Sequence, residues 1–329
     1  MHPPPSLLVP ALPPELLRHH RCAVPQDTRY RAAARLAQSL WRDRQGHPCG
    51  RVRDPTTGHR RLLGSRLTPA VARTGANLAD PALLPLVRHE LAYREVGAAI
   101  EPERLWGNLL SSQALVFGLF GPLKLDTALT TAALRPLFPD LVGTVTDILF
   151  EHSPGRGDPA FTGDRTAFDV LVRCTTPAGR RAFLAVEVKY TEAPGGTACA
   201  PSPRLDALSR ACGRFRDPDA PVLRGGAIGQ FWRQQLLAHA MLARGLYDEG
   251  RVVVVAPAPN RECWRAVRLY AGQLAAHDPA EARFEAVALE RIVAALAGAG
   301  AKRAAARLVE RHLDLAPVHA ALSASFRAA

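Results

Sequence analysis

The sequence predicts an α/β protein whose sheet is preceded by a helical layer, and three observations carry that prediction. Between residues 142 and 190 the apolar residues change from helical spacing to strand-like alternation. A pure run of valines, RVVVVAPAP (251 to 259), follows one further helical segment. The remaining segments read as helices or loops, so helices surround a small sheet.

The elements follow in chain order. Residues 1 to 25 are Pro-rich and read as an extended arm. TRYRAAARLAQSLWRDR (28 to 44) is an amphipathic helix with Tyr30, Ala34, Ala37 and Trp41 on one side. The arginine-rich stretch GRVRDPTTGHRRLLGSRL (50 to 67) reads as loops, either a phosphate-contacting arm or a solvated surface. Helical patterns start at residue 81. In the segment PERLWGNLLSSQALVFGLFGPL, Pro102 suits a first turn and Gly121-Pro122 a stop. That segment is apolar on most sides and predicts a core helix, in which Asn108, Ser111, Ser112 and Gln113 are either satisfied internally or turned to a polar cleft.

VGTVTDILFEH (142 to 152) and TAFDVLVRC (166 to 174) are strands joined by the Gly-rich loop SPGRGDPAFTGD. TPAG supplies the turn into a third strand, RRAFLAVEVKYTE (180 to 192), so the last two strands form a hairpin. No Walker or dinucleotide pattern accompanies the glycines. After a Pro/Gly-rich connection come a helix (229 to 247), the valine strand, and helices at 261 to 275 and 290 to 313. The chain divides into an arm (1–25), a helical region containing the first core helix (26–138), a core (139–275) and a C-terminal helical region (276–329).

The chain has 329 residues with 42 Lys+Arg against 30 Asp+Glu. The net charge of +12 favours an anionic partner such as nucleic acid, although coding bias toward arginine explains it equally well. Only Lys124, Lys189 and Lys302 are lysines, so the choice of Lys beside Glu187 is informative: Lys is a compact charge, Arg a planar fork. The six cysteines lack metal-ligand spacing and read as free thiols of a reducing compartment. The N-terminus lacks a signal-peptide pattern and no apolar run approaches ~18 residues. A soluble cytoplasmic protein without membrane association is the default expectation. No Ser-His-Asp or Cys-His set stands out, and His89, His152 and His239 read as ordinary residues.

Alternation places Phe183, Ala185, Glu187 and Lys189 on one face of the third strand. Ala167, Asp169, Leu171 and Arg173 share a face of its partner, and a hairpin can bring Asp169 beside Glu187. Asp147, Leu149 and Glu151 share a face of the first strand, so Glu151 either joins them or anchors the Gly-rich loop. Converging carboxylates repel one another and lose hydration, and a divalent cation compensates both costs. Mg²⁺ takes oxygen ligands from one or two carboxylates, water and phosphate, a set of parts suited to phosphodiester hydrolysis.

Asp169, followed eighteen positions later by Glu187-Val188-Lys189 at the end of an apolar strand, resembles the PD-(D/E)xK nuclease superfamily and its restriction-endonuclease-like fold. The element order resembles its core: helix, three-strand antiparallel meander, helix, strand. The run FEHSPGRGDPAFTGDRTAFDVLVR and the RLWGNLLSSQALVFGLFGPL helix resemble a bacterial restriction-endonuclease-like family, over roughly residues 60 to 275. Phe168 stands where the motif has proline. The resemblance implies a nuclease acting on DNA, with RNA not excluded and a homodimer left open. Asp169, Glu187 and the Val188 carbonyl would bind Mg²⁺ (or Mn²⁺), and Lys189 would position or activate the water. Gln230, Arg233 and Gln234, at the start of the following helix, are the further candidates. The exonuclease branch carries Gln-x-x-x-Tyr there, whereas Gln235 is followed by His239, so that role is not transferred. A non-cleaving nucleic-acid-binding protein of the same fold is the alternative.

Overall fold

The valine run and the two strands of the predicted hairpin each bury both faces, which requires helices on both sides of the sheet. The computed structural model, which describes residues 9–53, 57–192, 195, 199–275 and 282–327, has that arrangement. Two short strands, β1 (Cys49–Arg53) and β2 (Arg60–Leu67), pair antiparallel outside the main sheet. The main sheet has the order β3 (Thr144–His152), β4 (Phe168–Thr175), β5 (Arg181–Val188), β6 (Glu249–Ala256) and β7 (Arg283–Ala288). β3, β4 and β5 form an antiparallel meander, whereas β6 and β7 run parallel to β5. A parallel neighbour requires a crossover, and the connection from β5 to β6 contains the helix Gly229–Ala243.

Each face of the sheet packs on its own helix. Val170, Val172, Leu184, Val186, Val253 and Val255 share a core with the helix Ser112–Leu125. Leu171, Phe183, Ala185 and Val252 pack on Leu237, Ala238 and Met241 of Gly229–Ala243. At about 1.5–3 kcal/mol for each fully buried large aliphatic side chain, these cores hold the central strands rigidly against both helices. Phe183 also lies so close to β6 that a Cβ on Gly250 would meet its ring at 2.3 Å, so a side chain is excluded there.

The structure departs from the sequence reading in several places. Residues 50–67, read as loops, hold nearly all of the β1–β2 pair, because hairpin hydrogen bonding and burial of Leu63 and Leu67 override weak alternation. The helical segment from Pro102 is broken at Asn108, giving Pro102–Gly107 and Ser112–Leu125; Asn108 has an extended backbone and its Oδ1 accepts from the Leu110 amide. The second helix runs through Pro122 to Leu125, past the expected stop, with Leu123 fully buried. Finally, β7 lies within the region expected to be helical after residue 275, so the sheet extends beyond that point. Residues 1–8 of the Pro-rich arm and 276–281 lie outside the described residues, and Pro14–His19 of the arm is a short helix.

The Gly-rich loop folds on itself. Gly155, Gly157 and Gly163 adopt positive φ, and the Gly157 amide donates to the Asp164 carbonyl at 2.7 Å. Left-handed turns therefore account for its glycines.

Candidate active site

Strand register aligns the three candidate carboxylates. Phe150 pairs with Val170 and His152 with Phe168, which sets Glu151 opposite Asp169. Val170 pairs with Val186, and continuing that register by one residue sets Asp169 opposite Glu187. One row of acids thus crosses three adjacent strands. All three line a cavity of about 420 Å³ together with Lys189, Gln230, Arg233 and Gln234.

Glu187 is the most heavily bonded of the three. Its Oε1 lies 2.6 Å from Lys189 Nζ and accepts from Gln230 Nε2 at 2.8 Å. Gln234 Nε2 donates to Oε2 at 2.5 Å and to the Ala167 carbonyl at 3.0 Å. Lys189 Nζ also donates to Gln230 Oε1 at 2.8 Å. Gln230 and Gln234 are four residues apart on a helix, so they present their amides on one face. Gln235 faces elsewhere and donates to the Ala282 carbonyl at 2.7 Å. Arg233 sits at the rim, 3.8 Å from Asp164 Oδ2, and also donates to Cys199 Sγ.

Asp169 Oδ2 accepts from the Val188 amide at 2.7 Å, a bond that ties β4 to β5 at the row of acids. The Val188 side chain lies in the core on the opposite face, so only its backbone faces the acids. Glu151 has φ +48, a left-handed conformation costly for a residue with a side chain. Arg156 holds that turn, donating to the Glu151 carbonyl at 2.7 Å and to Glu95 Oε2 at 3.3 Å. Glu95 also accepts from the Ser153 amide at 3.0 Å and pairs with His152. Burial pushes the Glu95 carboxyl up, but bonds from His152, Ser153 and Arg156 more than reverse this and leave it below its usual value.

The electrostatics of the cavity are strained. Burial, then Glu187, pushes the Glu151 carboxyl up to about 7. Burial, then Glu187 and Glu151, raises Asp169 well above the carboxylate range. Burial pulls the Lys189 ammonium down, but Glu187 and Asp169 outweigh it and hold the group above its usual range. The two acids thus favour the charged form of Lys189.

Among the described residues, no group of three or more His, Cys, Asp and Glu side chains stands in a formed metal-binding arrangement. The donor chemistry nevertheless fits a hard dication. Mg²⁺ needs only one or two carboxylates beside water and substrate oxygens, and two acids with raised pKa values mark a place where positive charge is wanted.

Sequence reading did not find Glu95, Arg156 or the cavity-lining Arg104 and Arg165. Glu95 precedes β3 by about fifty residues and carries no local signal. The four polar residues 108–113 divide: Ser111 caps the core helix, Asn108 caps the break, and Ser112 and Gln113 line the cavity. Gln113 also donates to the Ala99 carbonyl at 2.7 Å and accepts from the Glu101 amide at 3.2 Å.

A mixed sheet with helices on both faces and acids on adjacent strands defines a restriction-endonuclease-like fold. A family model described as the PD-(D/E)XK nuclease superfamily matches residues 25–314, and the chain belongs to that superfamily. Membership implies a nuclease-type hydrolase with nucleic acid as its substrate. No curated protein and no solved structure matches the chain.

Proposed function

We propose that the chain is a Mg²⁺-dependent (or Mn²⁺-dependent) deoxyribonuclease of restriction-endonuclease type, with Asp169, Glu187, Lys189 and Glu151 as its catalytic set. The observation that carries this reading is the row Glu151, Asp169, Glu187 with Lys189 Nζ 2.6 Å from Glu187, opening on one cavity. Asp169, Glu187 and the Val188 carbonyl are the groups assigned to the metal. A divalent cation bound there would lower the pKa of a water and neutralise charge on the phosphate.

The protein's own groups do the rest. Lys189, paired with Glu187, orients the attacking oxygen and stabilises negative charge as it develops on the phosphate. Gln230 bridges Lys189 and Glu187 and so keeps them in one plane of action, while Gln234 fixes the other Glu187 oxygen. Arg104, Arg165 and Arg233 rim the cavity and supply backbone contacts. DNA in preference to RNA rests on the restriction-endonuclease resemblance. Six free cysteines support the cytoplasmic reading. A homodimer would place two cavities on two strands, and the oligomeric state in solution checks that part.

The test is incubation of purified protein with supercoiled plasmid and with RNA, each with Mg²⁺ or Mn²⁺. Nicked or linear plasmid, lost in Lys189→Ala, is the expected result. Intact substrates from wild type and variant alike sink the catalytic reading and favour a non-cleaving binding protein.

A further inference from the structure

A second hollow, of about 900 Å³, shares the helix Pro102–Gly107 with the candidate active site. Arg104 of that helix lines the carboxylate cavity, whereas Pro102, Glu103, Trp106 and Gly107 line the second hollow. Its other walls come from the β1–β2 pair and from the helices Pro69–Arg73 and Leu84–Ala92. Arg51, Arg53, Arg60, Arg66, Arg73 and Arg88 line it, against a single acid, Glu103.

What sets these arginines apart is their gathering in one concavity. Elsewhere several guanidinium groups have a carboxylate partner, as Arg35 has Asp27, Arg224 has Asp206, Arg251 has Asp140 and Glu285, and Arg181 has Asp248. Among the described residues, none of the six around the hollow forms an ion pair. Half-buried Arg66 is the extreme case, with burial lowering its pKa from the ordinary value. Compositional bias toward arginine explains a high count, but not the gathering of six in one concavity with a single acid. Six like charges in one concavity set up a positive potential that attracts a polyanion.

The apolar lining narrows the kind of polyanion. Leu67, Leu84, Leu91 and half-buried Trp106 contribute to the walls. A duplex keeps its base faces stacked inside and offers such walls only sugar, phosphate and base edges. An unpaired strand offers base faces to the apolar wall and phosphates to the arginines, the combination that single-strand sites use. We propose that this groove binds a single-stranded segment of the nucleic-acid substrate, with Trp106 stacking on a base and the arginines holding the backbone beside the carboxylate cavity. The inference rests on the nuclease reading for the word substrate, and it names the form of nucleic acid that the enzyme engages.

The experiment is fluorescence anisotropy of the full chain, in EDTA so that nothing is cut, with a labelled single-stranded DNA and a blunt duplex of the same sequence. The single strand is expected to bind about tenfold more tightly than the duplex. Arg73→Ala/Arg88→Ala should weaken it by about tenfold and reduce the slope of log affinity against log salt by roughly 0.7 per arginine. Trp106→Leu should weaken it with the salt slope unchanged. Equal or better binding of the duplex, or strand binding unmoved by these variants, overturns the proposal; so does ATP displacing the strand at equal concentration, which would mark a mononucleotide site. Should the variants melt below wild type, hydroxyl-radical footprinting of the wild-type complex decides: Trp106 shielded by the strand supports the groove, and Trp106 left reactive overturns it. Failure of wild type to cut any substrate with Mg²⁺ or Mn²⁺ defeats the catalytic reading separately, because strand binding is measured without metal.

Discussion

The two hollows that share the Pro102–Gly107 helix are opposites in how they hold charge. In the carboxylate cavity the charges sit on strand ends, largely out of water, and are cross-linked by Lys189, Gln230 and Gln234. In the arginine groove five of the six arginines are exposed, and no carboxylate of the described residues pairs with any of them. Buried charge is costly and tolerated only in fixed geometry, so the first hollow is built for chemistry at one point. Exposed cations cost little and act over a distance set by salt, so the second is built for holding.

That contrast can be broken most sharply at the acids. Asp169→Asn and Glu187→Gln should each reduce plasmid cleavage by roughly 10³-fold, while strand binding in EDTA stays at the wild-type level. A loss of binding equal to the loss of cleavage would mean that the two hollows are not separate devices. Next in size is Lys189→Ala, which leaves the buried Glu187 without its ion partner. Because Gln230 and Gln234 still donate to that carboxylate, the expected cost is roughly 3 kcal/mol, read by urea unfolding. A variant as stable as wild type would place the pair in solvent.

The acids also predict a dependence on pH with a definite sign. A carboxyl easier to protonate in the folded state than in the unfolded chain costs stability once it ionises. Metal-free protein should therefore lose stability as pH rises from the ordinary glutamate value of 4.5 to about 7 through Glu151, with Asp169 acting in the same direction. Millimolar Mg²⁺ should raise the melting temperature more at pH 8 than at pH 5, and Glu151→Gln should flatten the metal-free profile between pH 4.5 and about 7. A melting temperature that climbs across this window in metal-free protein would contradict the crowding of the acids. The smallest effect is expected at the clamp behind Glu151: Glu95→Gln weakens its bonds to His152 and Arg156 and should cost on the order of 1 kcal/mol. A larger fall in cleavage than in stability would show that the clamp positions Glu151.

Much of the carboxylate cavity was legible in the sequence because strand alternation is local. RRAFLAVEVKYTE puts Glu187 and Lys189 on one face, and the short TPAG turn brings Asp169 across from them. Gln230 and Gln234 were legible for the same kind of reason, being close to a helix start that follows the strands. Glu95 and Arg156 were not, since nothing in their neighbours shows that they meet behind Glu151. The strand β7 was also missed: RFEAVA is only six residues long and gains its pairing from β6, which lies about thirty residues earlier. Likewise the arginine-rich stretch at 50 to 67 gave no clean period, and its reading as loops was corrected by the β1–β2 pair.

By itself the sequence determined the succession β3, β4, β5, helix, β6, the two-sided burial of those central strands and the face on which each acid stands, because periods of 2 and 3.6 act between near neighbours. Only the tertiary structure decided that Glu151 stands in the row with Asp169 and Glu187 despite its positive φ, and that six unpaired arginines from separate elements close around one groove. Both depend on contacts between segments far apart in the chain, whose geometry is set by core packing rather than by any local pattern.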